Sequence, residues 1–175
     1  MTPQHTCAIR LDGTVACWGG NEFGQLGIGT TDNESTPQLV SGLPYITAIA
    51  AGAQHTCALD ASGQLYCWGG NSSEQLGDGG TTDAASPQPV TTLPGVAFVA
   101  ADLEHTCAVT TDGIAFCWGG NSSGQLGYPT SEEQPYSPTP QQVTGLPGVT
   151  TVTTGMSHSC ALNRDGTSLL LGRRL

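Results

Sequence analysis

The fold is decided by the stretch from His5 to Gly27, which reads HTCAIRLDGTVACWGGNEFGQLG and returns twice at a fixed spacing. His-Thr-Cys-Ala begins at His5, His55 and His105, and a related His-Ser-Cys-Ala begins at His158, so successive copies lie 50, 50 and 53 residues apart. Cys-Trp-Gly-Gly-Asn and Gln-Leu-Gly follow in each of the first three copies. Self-similarity at this period is typical of solenoids, propellers and arrays.

Each repeat contains about four short runs of β-forming residues, separated by Gly, Pro, Asp and Ser. No run of ten residues has the 3.6-residue periodicity of an amphipathic helix. Four short antiparallel strands that repeat as a unit, side by side, are typical of the blades of a propeller. We therefore predict an all-β chain made of β-propeller blades, each with four antiparallel strands.

The strands of a blade are called A to D: A is the apolar run, B begins His-Thr-Cys-Ala, C contains Cys-Trp-Gly and D contains proline. In this order the chain supplies BCD, ABCD, ABCD and ABC, or about three and a half repeats. The repeat units are roughly 5–54, 55–104, 105–157 and a partial 158–175, within one domain of residues 1–175. Because the terminal blades leave faces and edges uncovered, we expect a homo-oligomer or a fragment of a longer propeller.

The repeated motifs resemble the regulator of chromosome condensation repeat family, in a variety with paired cysteines. The resemblance implies a partial propeller of the seven-bladed type, and it extends over nearly the whole chain. For function the resemblance implies less, because this fold carries unrelated activities.

The sequence departs from the repeat pattern at two places. Glu74 occupies the position of Gly24 and Gly124, which suggests that this position does not demand the backbone freedom of glycine, and Leu170-Leu171 replaces Cys-Trp in the fourth copy.

The seven cysteines form three pairs ten residues apart, plus Cys160. The stretches between the paired residues, such as Leu11-Asp12-Gly13, are predicted to be three-residue hairpin loops with Gly in the left-handed position. This register sets the two cysteines of a pair opposite each other, at a separation that suits a cross-strand disulfide. Buried free thiols are the alternative. The predicted disulfides are Cys7–Cys17, Cys57–Cys67 and Cys107–Cys117. They would place the chain in an extracellular, periplasmic or cell-surface setting.

Several residue types invite a chemical role, and each has a simpler structural one. Equivalent histidines on neighbouring blades do not converge on one point, so packing and hydrogen bonding are favoured over a metal site or a proton switch. Asp12, Asp112 and Asp165 each precede Gly and suit turns. Asn71 and Asn121 lie in glycan-acceptor triplets, but their alignment with Asn21 favours a turn role.

The composition and the motifs exclude several classes of function. The net charge is −10, and the fourteen acidic residues face only four arginines, so nucleic acid is not a predicted partner. No apolar run approaches the roughly 18 residues of a membrane span, so membrane insertion is not predicted either. A phosphate loop and a His-Glu-x-x-His stretch are both missing from the sequence. We therefore predict no catalytic residue, no cofactor and no metal, although the acidic loops leave calcium open.

Variable loops follow each Gln-Leu-Gly, at residues 28–36, 78–86 and 128–137. The third loop is three residues longer than the others, and insertions in repeat proteins often map to the binding face. It contains the predicted partner-binding residues, Tyr128, Glu132, Glu133 and Tyr136. We therefore expect a protein-interaction scaffold, secreted or at the cell surface. The alternatives are a guanine-nucleotide exchange factor, as the family's namesake is, and an enzyme that uses the propeller face.

Overall fold

The computed structural model describes residues 4–130 and 135–172, which contain fourteen β-strands and no helix. The strands form four antiparallel sheets, and neighbours in sequence are neighbours in each sheet. The first sheet contains β1 (His5–Ile9), β2 (Val15–Gly19) and β3 (Glu34–Leu39). The second contains β4 (Ile46–Ala51), β5 (His55–Asp60), β6 (Leu65–Gly69) and β7 (Ala84–Val90). The third contains β8 (Val96–Ala101), β9 (His105–Thr110), β10 (Ala115–Gly120) and β11 (Tyr136–Gln142). The fourth contains β12 (Val149–Gly155), β13 (His158–Asn163) and β14 (Ser168–Gly172).

These sheets are four propeller blades, and they have the strand content predicted from the sequence. Three-stranded sheets at either end flank two four-stranded sheets. Strand A of the first blade and strand D of the fourth are not among the described strands. The all-β partial propeller is therefore confirmed.

The hairpin between strands B and C has the predicted register. In the first blade the Arg10 N–H donates to the Thr14 carbonyl at 2.8 Å, and the Gly13 N–H donates to the Arg10 carbonyl at 2.9 Å. Gly13 has φ 78°, the left-handed conformation that such a loop requires. Cys7 consequently lies opposite Cys17, and the same pairing recurs in the second and third blades.

The core lies between blades rather than within any one sheet. All six residues of β5 and of β9 are buried, because a neighbouring blade covers each face of these strands. In β1, by contrast, Thr6 and Ala8 are exposed while the alternate residues are partly covered. The first blade therefore has one face without a neighbour in the described structure.

The outer edges of the first three blades are formed by strands that contain proline. Strand β3 includes Pro37, β7 includes Pro87 and Pro89, and β11 includes Pro138 and Pro140. Proline has no N–H to donate to an added strand, and it is tolerated in sheets mainly at such edges. The prolines thus explain why the outer strands end the sheets.

The backbone conformation of Glu74 corrects an interpretation of the sequence. Glu74 has φ 62°, close to the values of 79° and 74° at Gly24 and Gly124. The position therefore does require the left-handed region in all three copies, and the sequence-based suggestion that it does not was wrong. One carboxylate oxygen of Glu74 is also buried without a hydrogen-bond partner. Glutamate is consequently a strained choice at this turn.

We predict that Glu74→Gly stabilises the protein by about 1 kcal/mol, since it removes the cost of a left-handed non-glycine residue. Urea unfolding without reductant measures this gain. The matched control is Gly124→Ala, where an added Cβ would have only Gly172 Cα nearby, at 3.9 Å, so that backbone strain alone acts. That variant should lose about 1 kcal/mol. An unchanged or lower stability of Glu74→Gly would show that Glu74 makes a favourable contact outweighing its strain.

Candidate functional site

A short chain of hydrogen bonds fixes each blade to the next. Between the first two blades, the Thr56 hydroxyl donates to the Gln25 carbonyl at 2.8 Å, and the Trp68 indole N–H donates to the same oxygen at 2.9 Å. His5 Nε2 lies 2.8 Å from the Thr56 hydroxyl oxygen. The carbonyl of a Gln-Leu-Gly turn is therefore held by two donors of the following blade.

The same arrangement recurs at the other two junctions, with two changes at the third. At the second junction Gln75 accepts from Thr106 and Trp118, and His55 lies on Thr106. At the third junction Gln125 accepts from Ser159, and His105 lies on Ser159. Leu171 stands where an indole would lie, so the Gln125 carbonyl receives no indole bond.

This geometry determines the tautomer of the histidines. The single hydroxyl proton of Thr106 is donated to Gln75, so His55 must donate from Nε2, which leaves Nδ1 unprotonated. The Nδ1 atoms of His55 and His105 are buried and have no hydrogen-bond partner. Burial lowers the pKa of His105 to about 4 and that of His55 to about 3, because a charged ring would be desolvated. These histidines are neutral structural donors near pH 7.

The described residues contain no group of three or more His, Cys, Asp and Glu that could hold a metal ion. Asp78 accepts hydrogen bonds from the Asn71 side chain and the Gly80 N–H, and Asp83 accepts from the Asn71 N–H. In the second of the two acidic loops that left calcium open (Asp32 to Glu34 and Asp78 to Asp83), these carboxylates thus bond to groups of their own loop. The structural roles proposed for the repeated histidines agree with the contacts seen.

Each predicted cysteine pair is joined by a disulfide in the structure. The pairs are Cys7–Cys17, Cys57–Cys67 and Cys107–Cys117, with Cα atoms 4.1 Å apart in each. This is the close approach of a non-hydrogen-bonded pair in an antiparallel ladder. Cys160 is unpaired and lies opposite Leu170. Each disulfide stabilises its own hairpin, because it closes only a short loop.

The variable loops lie together at one end of the blades. Loops between strands C and D (residues 20–33 and 70–83, and in the third loop 121–130 and 135) and those between A and B (residues 52–54, 102–104 and 156–157) share this end, called here the loop end. Each long loop is folded around an asparagine. Asn21 Nδ2 donates to the Thr30 and Asp32 carbonyls at 2.9 Å, and its Oδ1 accepts from the Leu26 N–H. Asn71 and Asn121 are buried and make equivalent bonds, which confirms their turn role.

The loop end is acidic, and the described residues place no arginine there. Its carboxylates are those of Glu22, Asp32, Glu34, Glu74, Asp78, Asp83, Asp102 and Glu104. Arg10 and Arg164 both lie in hairpins at the opposite end. There the aspartates are bound within turns: Asp12 accepts from the Thr14 side chain and N–H, and these bonds lower its pKa. At the loop end, Asp78 and Asp83 are likewise bound within their loop, whereas the carboxylates of Glu22, Asp32, Asp102 and Glu104 accept no hydrogen bond in the described structure.

The predicted partner-binding residues do not share one environment in the structure. Glu132 and Glu133 lie outside the described residues. Tyr136 begins β11 at the loop end and is 38% exposed. Tyr128 instead packs against the core of the third and fourth blades, and its hydroxyl donates to the Cys117 carbonyl at 2.8 Å. Burial raises the pKa of Tyr128 to about 12. Tyr128 packs against the core because its large ring, after Gln-Leu-Gly, fills the space beside β10.

Sequence comparison identifies the repeats. The family model described as the regulator of chromosome condensation (RCC1) repeat matches residues 12–59, 62–109 and 112–162. Human HERC4, a probable E3 ubiquitin-protein ligase, is 42% identical over 53 residues. That match covers 28% of this chain and 5% of the ligase. The chain therefore spans only a small part of this relative.

Two solved structures share the arrangement of blades over 96% of this chain. Human WBSCR16 is similar with a TM-score of 0.86 and 24% identity, and the match covers 44% of it. Prp20p from Saccharomyces cerevisiae, described with its binding to Gsp1p and histones, is similar with a TM-score of 0.81 and 24% identity, and 43% of it is covered. At these identities the likeness shows the fold. The chain spans less than half of either protein.

We predict that protein purified without reductant from an oxidising compartment has lost six hydrogens, two for each of the three disulfides, with Cys160 alone open to alkylation. Leu170→Cys should then form a fourth disulfide, because residue 170 lies opposite Cys160. Mass spectrometry after alkylation measures both. Leu169→Cys is the control, since residue 169 pairs with Ala161 and should leave two alkylatable thiols. Seven alkylatable thiols in the parent protein would contradict the pairing.

We also predict that the melting temperature falls as the pH drops from 6.5 towards 4. The buried histidines have a folded-state pKa of about 3 to 4, below the ordinary value of 6.5, so the unfolded chain binds more protons in this window. The contribution of these neutral histidines to the free energy of unfolding is fully present above pH 6.5 and is lost progressively as the pH falls towards 4. Most carboxylates titrate below about pH 4.5, so the upper part of the window isolates histidine.

The control for this pH dependence is His55→Gln, whose side-chain amide retains a donor for Thr106. It should be less stable at pH 7 and should show a smaller further loss between pH 6.5 and 4.5. A parent protein with a flat profile over that range would rule out neutral buried histidines as the cause.

Proposed function

The chain belongs to the regulator of chromosome condensation (RCC1) repeat family, and on this premise we propose that it is a protein-interaction scaffold that binds its partner through the loop end. One observation carries the proposal: three long loops of different sequence stand side by side on blades joined by equivalent hydroxyl-to-carbonyl hydrogen bonds. Rigid presentation lowers the ordering cost of binding. The loops can therefore vary in sequence while their positions stay fixed.

The charge at the loop end indicates the kind of partner. Carboxylates without a neighbouring arginine favour a protein with a basic surface, and such attraction acts chiefly on the rate of association and on specificity. Tyr136 adds a partly exposed aromatic ring beside these charges. Tyrosine is enriched among the residues that dominate binding energy. We propose a basic protein surface with an apolar recess for Tyr136.

We propose a secreted or cell-surface location for this interaction. The support is the disulfide in each of the first three blades, because such bonds persist in oxidising compartments and are rare in the cytosol. A guanine-nucleotide exchange factor acts on a cytosolic or nuclear partner, so the same disulfides make that role the second candidate. An enzyme is not proposed.

We predict that Tyr136→Ala weakens binding to the captured partner by about tenfold or more, which corresponds to roughly 1.4 kcal/mol. The partner is obtained by pull-down from the secreted or surface fraction of the source cells and is then measured by titration. Tyr45→Ala is the matched control, since Tyr45 is 58% exposed but lies at the opposite end, beside Gly13. It should bind as the parent does. Equal weakening of partner binding by both variants would show that the loop end is not the binding site.

The role of charge is tested with a triple variant, Glu22→Gln, Asp32→Asn and Glu104→Gln. These positions are suitable because none of the three side chains accepts a hydrogen bond in the described structure. The triple variant should associate more slowly and should lose most of the salt dependence of binding. Unchanged association at low salt would contradict an electrostatic role. A nucleotide-exchange assay on a small GTPase completes the test: stimulated exchange would favour the second candidate.

A further inference from the structure

Three asparagines of this chain begin an Asn-x-Ser triplet, the acceptor sequence for N-linked glycans, and the fold exposes one of them and buries the other two. The triplets begin at Asn33, Asn71 and Asn121. Asn71 is 0% exposed and Asn121 is 6% exposed, whereas Asn33 lies on the surface. Because a glycan on a folded protein must project into solvent, burial distinguishes the three triplets.

The side-chain nitrogens of the two buried asparagines already serve the fold. Asn71 Nδ2 donates to the Gly80 carbonyl at 2.9 Å and to Asp78 Oδ1 at 3.1 Å. Asn121 Nδ2 donates to the Tyr128 carbonyl at 2.8 Å. A sugar on either nitrogen would replace a donor hydrogen and would need space inside the loop. The fold therefore excludes a glycan at both positions.

In Asn33, by contrast, only the side-chain carbonyl is bound to the protein. Asn33 Oδ1 accepts the Asn21 N–H at 2.7 Å. Across the residues that the structure describes, Asn33 Nδ2 and the Ser35 hydroxyl make no hydrogen bond, and Ser35 is exposed as well. N-glycosylation substitutes the amide nitrogen and keeps the carbonyl, so a glycan would leave the bond to Asn21 intact.

The second blade shows what the fold requires at this position. Asp83 is the equivalent of Asn33, because the residue after each pairs with the glycine that ends strand C. Asp83 Oδ1 accepts the Asn71 N–H at 2.7 Å, so the fold needs an oxygen here and not an amide nitrogen. Ala85 stands at the position of Ser35, so the second blade lacks both residues of the acceptor.

We propose that Asn33 carries an N-linked oligosaccharide, a modification that rests on the secreted or cell-surface location proposed above. The donor is an oligosaccharide joined through its C1 atom to a polyprenyl pyrophosphate. Transfer forms the bond between C1 and Asn33 Nδ2 and breaks the bond between C1 and the phosphate oxygen. The polyprenyl pyrophosphate leaves with the bonding electron pair, and one Nδ2 proton passes to a base of the transferase.

The fold selects among the triplets even if transfer occurs on the unfolded chain, where all three are accessible. A chain modified at Asn71 or Asn121 cannot close the loop that these asparagines hold together. A chain modified at Asn33 folds with the glycan on the first loop, beside Asp32. Folded protein should therefore be modified at Asn33 alone.

The test uses the full chain, directed into the secretory pathway of a cell line that glycosylates asparagine. Folded protein is collected from the medium and treated with peptide N-glycosidase, which leaves aspartate at each modified asparagine. Peptide mapping by mass spectrometry then locates the modified residues. We expect most molecules to be converted at Asn33 and none at Asn71 or Asn121.

Two variants serve as controls. Asn33→Asp introduces the carboxylate that Asp83 provides in the second blade, so it should be secreted and folded but unglycosylated. Its melting temperature should equal that of the enzymatically deglycosylated parent, which has the same residue 33. Ser35→Ala retains Asn33 and should also lose the glycan, because the hydroxyl of the third residue is part of the acceptor.

The same mass spectra report the disulfides, which separates this proposal from the proposed location. An unmodified Asn33 in protein that has all three disulfides overturns the glycan and leaves the location in place. An unmodified Asn33 in protein without disulfides overturns both. A glycan on Asn71 in folded protein, or one retained by Ser35→Ala, would also overturn the proposal.

Discussion

The structure depends on one main-chain carbonyl in each of the first three blades. The glutamine of a Gln-Leu-Gly turn presents its carbonyl to the following blade, where a threonine hydroxyl and a tryptophan indole converge on it. A buried carbonyl has two lone pairs to satisfy, and this arrangement satisfies both with donors from a segment far away in sequence. It therefore fixes the position of a whole blade with a backbone atom that no side-chain substitution removes.

The other repeated residues follow from this contact. Glycine after Gln-Leu is needed because the indole lies on its backbone, and histidine is needed because the threonine hydroxyl still accepts one bond. The asparagine that opens each long loop turns the chain so that the glutamine carbonyl points outward, through its bond to the leucine N–H. The third junction, where Leu171 replaces the indole, keeps the hydroxyl bond and so retains the geometry with fewer donors.

Much of the fold was predictable from the sequence, because the copies of the repeat can be compared with one another. The hairpin register follows from a three-residue loop that ends in glycine, and the cysteine pairs and the grouping of strands follow from the register. The bonds between blades were not predictable by the same reasoning, since His5 and Thr56 are 51 residues apart and no local pattern connects them. The available signal was a polar pair, His-Thr, repeated at the start of an otherwise apolar strand. Glu74 was misread because the side chain was judged by its type, whereas the backbone angle decides that position. The packing of Tyr128 beside β10 could not be predicted from residue type either.

The prolines in β3, β7 and β11 have a consequence for recognition. Many sheet proteins capture extended peptides by β-augmentation, in which the peptide backbone adds a strand to a free edge and sequence matters little. The rim of these blades interrupts its row of N–H donors with proline, so this generic mode of capture is closed. Under the function proposed above, recognition would fall to side chains on the loops, which differ in sequence from blade to blade. The proline-containing strands would then keep extended peptides from adding to the perimeter of the sheets.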